Sequence, residues 1–79
     1  MMKIYVYNMQ HFIETVDSCE GPVKMVTSDG IFEDLRGNEF LQNILSSFHA
    51  GHTSAMPLNL NVQVTKDYMR LVYFMMGDC

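Results

Sequence analysis

Three histidines, two cysteines and an adjacent pair of serines are the side chains in this sequence best suited to chemistry. His11 comes three residues after Asn8, a residue type that caps helices, and directly before Phe12. A histidine in the first turn of a helix lies near N–H groups that lack intrahelical partners, so its imidazole could accept a phosphoryl group there. The same residue is more simply accounted for as a solvent-facing helical histidine, since imidazole titrates near neutrality without any function. His49 and His52 form an H-x-x-H pair near a helix end. Zinc takes about four ligands, and Cys19 is far away in sequence, so a cationic histidine at a helix C-terminus explains the pair and no metal is expected. Nucleophilic catalysis needs a Cys or Ser beside a base and a third, orienting group. Neither Cys19 nor Ser46-Ser47 has that setting, and no glycine-rich phosphate loop is present. The expectation is a non-enzymatic protein without a cofactor.

Composition narrows the classes further. At 79 residues the chain is expected to form a single domain, 1–79, and its 48% of hydrophobic residues exclude a disordered polymer. Nine acidic against five basic residues give a net charge of −4, and phosphate-backbone binding needs clustered Lys and Arg, so no nucleic-acid partner is expected. The longest apolar run, Leu71 to Met76, is six residues, far below the roughly 20 that span a bilayer. The first ten residues lack the pattern of a signal peptide, and two cysteines make no disulfide framework, so a reduced, cytoplasmic setting is expected.

The elements that would position these groups are read from periodicity. Lys3–Tyr7 alternates Ile4 and Val6 against Lys3, Tyr5 and Tyr7, the pattern of a strand. Residues 9–18 form a short amphipathic helix through Phe12, Ile13 and Val16, stopped by Glu20-Gly21-Pro22. Val23–Ser28 and Ile31–Leu35 are strands joined at Asp29-Gly30, a strong hairpin signal, with Glu33 and Asp34 read as a solvated edge. Asn38 caps a helix running to Ala50-Gly51, whose Phe40, Leu41, Ile44, Leu45 and Phe48 should face the core. After a loop at His52–Pro57, Leu58–Val64 alternates as a strand with one buried face. The last segment fits two readings. Val, Tyr and Phe favour a strand, while Asp67 in a first turn and Gly77 past the end favour a helix over Lys66–Met76. In the helix, Met69, Val72, Tyr73 and Met76 fall at i, i+3, i+4 and i+7, and with Met69, Val72 and Met76 inward Phe74 is left outside beside Arg70.

The order β-α-β-β-α-β-α resembles HPr, the histidine-containing phosphocarrier of the bacterial sugar phosphotransferase system. The resemblance covers nearly the whole chain: Lys3–Tyr7, Met9–Ser18, Val23–Leu35, Asn38–Ala50, Leu58–Val64 and Lys66–Met76, with Asp34-Leu35-Arg36-Gly37 similar to a family hinge. It implies an α+β open-faced sandwich, a four-stranded antiparallel sheet with helices on one face. It also implies a phosphoryl acceptor at the start of the first helix, which falls on His11. The family's acceptor lies in a Gly-x-His-x-Arg-Pro setting, whereas Tyr7-Asn8-Met9-Gln10-His11-Phe12 has no following Arg or Pro. The family's regulatory serine opens the second helix, where Gly37-Asn38 stands here.

Three functions remain. The first is an HPr-like binding or regulatory protein that meets a protein partner through its helical surface, with His11, Arg70 and Phe74 as contacts and self-association through the C-terminal helix around Phe74. The second is a phosphocarrier on His11, with Arg36 or Arg70 touching phosphate. The third is a small acidic phage or mobile-element inhibitor of a nucleic-acid-handling protein. Tyr5 and Tyr7 beside Asn59, Asn61 and Gln63 could stack bases on the open sheet face, but the basic frame such sheets need is missing.

Overall fold

The computed structural model describes residues 2–27, 29–30, 32–50 and 56–77. Among them the elements are β1 (Met2–Val6), α1 (Met9–Asp17), β2 (Val23–Val26), β3 (Phe32–Asp34), α2 (Glu39–Ala50), β4 (Met56–Val62) and α3 (Thr65–Gly77). The strands form one antiparallel sheet in the order β1-β4-β2-β3. Alternation sets its faces. Met2, Ile4 and Val6 of β1 and Leu58 and Leu60 of β4 are buried under the helices, while Lys3, Tyr5 and Asn59 face outward. The result is an α+β open-faced sandwich with its helices on one side.

Local chemistry places most element ends. The Asn8 carboxamide oxygen accepts from the His11 N–H at 3.1 Å, capping α1. Asn38 does the same for α2 through the Leu41 N–H at 3.2 Å. At the hairpin, the Gly30 N–H donates to the Thr27 carbonyl at 3.0 Å, and φ of +80° at Gly30 suits a residue without a Cβ. β3 is shorter than Ile31–Leu35, and Ser28 and Ile31 lie outside the described residues.

Two strands are displaced from the sequence reading. β1 takes in Met2 and leaves Tyr7 beyond its end. β4 begins at Met56, inside the segment read as loop, because Met56 and Pro57 pair with Val6 and Tyr5. Pro57 is tolerated because the β2 ladder on the other side of β4 pairs residues 60–62 and does not reach it. His52 and the rest of residues 51–55 lie outside the described residues.

The last segment is a helix, yet its inward face differs from the expected one. Asp67, Leu71 and Phe74, spaced i, i+4 and i+7, are buried, whereas Met69, Tyr73 and Met76 are exposed. Phe74, expected outside, is 3% exposed. The cause is a polar anchor. Asp67 is fully buried, and its carboxylate accepts from the N–H groups of Glu20 at 2.9 Å and Gly21 at 2.8 Å, which fixes the rotation of α3. Phe74 then meets Phe12 with ring centroids 5.8 Å apart. Gly21 has to be glycine at this crossing, since a Cβ there would collide with Val64 Cγ2.

α2 is rotated too. It buries Leu41, Gln42 and Leu45 and leaves Phe40 74% and Phe48 57% exposed, where all five apolar residues were expected to face the core. α2 packs chiefly against α1, and one neighbour covers only half of so wide a stripe. Gln42 selects which half, because its amide donates to Asp17 Oδ1 at 2.8 Å and to the Leu35 carbonyl at 2.9 Å.

Candidate partner-binding surface

His11, Arg70 and Phe74, singled out from the sequence, do come together. With Thr15, Ser18 and Tyr73 they line one groove between α1 and α3. The half-buried His11 ring lies edge-on to Phe74, with centroids 5.4 Å apart and planes at 68°. Phe74 forms the buried wall of this groove rather than an exposed part of the α3 surface, where the sequence reading had placed it. Tyr73 and Arg70 are the exposed residues of the α3 rim.

Arg36, the other candidate for phosphate contact, is engaged elsewhere. Its guanidinium donates to the carbonyls of Cys19 and Glu20, on the turn whose N–H groups Asp67 holds. Burial pushes the Cys19 thiol up to about 11, and the Asp67 carboxylate adds to the shift, while Arg70 and Arg36 oppose it. The thiol therefore stays protonated at neutral pH, and it also reaches the Thr15 carbonyl at 3.4 Å. Burial raises the pKa of Asp67, but the Glu20 and Gly21 N–H groups, Arg70 and Arg36 outweigh it and hold the carboxyl below its ordinary value.

The acidic pair at β3 divides. Glu33 is exposed, but Asp34 is half-buried and accepts from the N–H groups of Val23 at 3.1 Å and Arg36 at 3.0 Å, so it fastens the β3–α2 connection and is not a solvated edge. Ser46 and His49 border a cleft with Tyr7, Asn8 and Gln10, between the ends of α2 and α1. Among the described residues no group of three or more His, Cys, Asp or Glu is arranged to hold a metal ion. On the open sheet face Tyr5 is exposed, with the Lys3 ammonium 5.6 Å from its ring centroid. Among the described residues no helix is long and apolar enough to cross a membrane.

The surface that sequence reasoning missed is the outer side of α2. Phe40, Ile44 and Phe48, with Asn43 and Ser47, line an open groove of about 410 Å³. These residues were read as core because the spacing 0, 1, 4, 5, 8 does not say which edge of the stripe is covered. The width of the stripe was the available signal. An apolar arc of about 140°, wider than the roughly 100° a core-facing helix needs, leaves a margin uncovered when a single helix packs on one edge of it. Compared with protein-family models, with curated proteins and with solved structures, the chain matches none.

Proposed function

We propose that this chain is a non-enzymatic binding or regulatory protein, HPr-like in plan, that acts in the cytoplasm through protein–protein contacts. The observation that carries the reading is the outer face of α2, where Phe40 and Phe48 are largely exposed beside a half-buried Ile44, on a helix otherwise anchored to the core. Exposed apolar patches of this kind mark interaction surfaces. The HPr-like plan is supported by the element order and by the open antiparallel sheet. Cys19 is a buried, protonated thiol, free among the described residues, which fits a reducing compartment. The test compares proteins retained by the immobilised chain with those retained by a Phe40→Ser/Phe48→Ser variant. Binding reduced to background by the double substitution, at unchanged circular dichroism, is expected. Identical capture by both forms overturns the reading.

A second reading has its own observation. His11 and Arg70 both line the α1–α3 groove, which is in keeping with a phosphocarrier whose phosphoryl group would be held by an imidazole and a guanidinium together. Incubation with enzyme I of the phosphotransferase system and phosphoenolpyruvate is the test. An acid-labile phosphoprotein that disappears in His11→Ala would support it, and failure to form one would remove it.

A further inference from the structure

We propose that the outer face of α2 binds a second copy of this chain, antiparallel across a two-fold axis at Ile44. The inference rests on the reading of that face as a contact surface and names its occupant. Phe40, Ile44 and Phe48 lie four residues apart and form one i, i+4, i+8 ridge. Ridges of this class pack into one another at a crossing angle of about −50°, the commonest arrangement of helix pairs. The ridge is also a palindrome about Ile44, with a phenylalanine four residues to either side. A two-fold axis at Ile44 therefore sets Ile44 against Ile44 and Phe40 of each copy against Phe48 of the other. The same patch supplies both knobs and hole, as an isologous contact requires.

Charge agrees with this arrangement. The chain carries −4 overall, yet Phe40, Asn43, Ile44, Ser47 and Phe48 are all uncharged, so two acidic copies can meet here without burying a charge. Glu39 points away from the ridge by helical spacing, and antiparallel helices oppose their dipoles favourably. The exposed outer face of α3 lacks this self-complementarity: Met69, Tyr73 and Met76 are unevenly spaced, and Lys66 and Arg70 stand among them.

The area sets the strength. An aromatic side chain offers about 150–250 Å², so at 74% and 57% exposure Phe40 and Phe48 present roughly 250 Å² per copy. With Ile44, Asn43 and Ser47 the pair buries on the order of 1,000 Å² in total, the low end of specific interfaces, where association is reversible. A dimer dissociating between about 10 µM and 1 mM is expected.

Sedimentation equilibrium of the full chain across that range is the test. The mass should climb from monomer toward dimer, and Phe40→Lys or Phe48→Glu should each raise the dissociation constant at least about tenfold. The double variant Phe40→Lys/Phe48→Glu decides the register. In the antiparallel pair each new ammonium faces a new carboxylate, so dimerisation recovers, whereas a parallel pair would set like charges together and weaken further. A monomer at every concentration, single variants that leave the mass unchanged, or a double variant weaker than either single overturns the proposal. If the chain is monomeric but Phe40→Lys still strips a captured protein, the second copy falls and the contact surface stands. If capture is also unaffected, both fall.

Discussion

Replacing Asp67 by Asn tests whether one buried carboxylate sets the position of α3. The amide is nearly isosteric, so packing is conserved and the change isolates the polar contacts. The carboxylate accepts two N–H groups, from Glu20 at 2.9 Å and Gly21 at 2.8 Å. An amide keeps one acceptor oxygen, which leaves one neutral hydrogen bond, and turns an NH₂ toward the other backbone donor. One charge-assisted bond worth about 1.5–3 kcal/mol is lost and a buried N–H is orphaned at about 1–3 kcal/mol. The combined loss should be about 2.5–6 kcal/mol, and at roughly 4–8 °C per kcal/mol for a domain of this size the melting temperature should fall by at least about 10 °C. The effect is also pH-dependent. The folded carboxyl lies below its ordinary value of 3.8, so its stabilisation is complete above that value and is lost as pH falls through the lower, folded one. Urea unfolding followed by circular dichroism at pH 7, 5 and 3 measures both effects. The gap between the parent chain and Asp67→Asn should be full at pH 7 and 5 and begin to close at pH 3. A loss below about 1 kcal/mol at pH 7, or a variant that matches the parent throughout, refutes the assignment.

The rotation of the two outer helices predicts an inverted mutational pattern. Phe74→Ala should cost about 3–5 kcal/mol, whereas Phe40→Ala should change stability by less than about 0.5 kcal/mol; comparable losses in thermal denaturation would contradict the burial described above. Cys19 should be inert to a thiol reagent in the native chain and react only as fast as the protein opens. Because its folded pKa of about 11 exceeds the ordinary 9.0, its contribution is complete below pH 9 and declines toward pH 11. The parent chain should therefore lose more stability than Cys19→Ala between pH 8 and pH 10.5 in urea titrations, and parallel losses would argue against the buried thiol.

What could be read in advance was what neighbouring residues decide. The Asn8 and Asn38 caps, the Asp29-Gly30 turn, the alternation of β1 and the extent of α2 depend on side chains within four positions of each other, and all are present. The faces of α2 and α3 were misread because distant polar groups set them. Asp67 meets N–H groups 46 and 47 residues earlier, and Gln42 meets Asp17 25 residues earlier. A carboxylate in a first helical turn looks like a cap turned to solvent, and nothing local reveals that it accepts from another loop. The candidate sites divide in the same way. The sequence supplied His11 and Arg70 without their shared groove, and supplied the apolar ridge of α2 while assigning it to the core.

A comparison of energies explains why α2 shows its phenylalanines to solvent. Turning the helix to bury Phe40 and Phe48 would lift Leu41 and Leu45 out of the core, an exchange of two apolar side chains for two at about 1.5–3 kcal/mol each, with the half-buried Ile44 at the margin of both faces. Hydrophobic burial is therefore close to balanced between the two rotations. Gln42 is not balanced. In the observed rotation its amide nitrogen satisfies both Asp17 and the Leu35 carbonyl, and among the described residues no buried side-chain N or O atom lacks a partner. The alternative breaks two bonds, one of them to a carboxylate, at about 1–3 kcal/mol each. The polar anchor breaks the tie that the apolar residues leave. The exposed ridge therefore belongs to the favoured packing, and a partner can find it already in place.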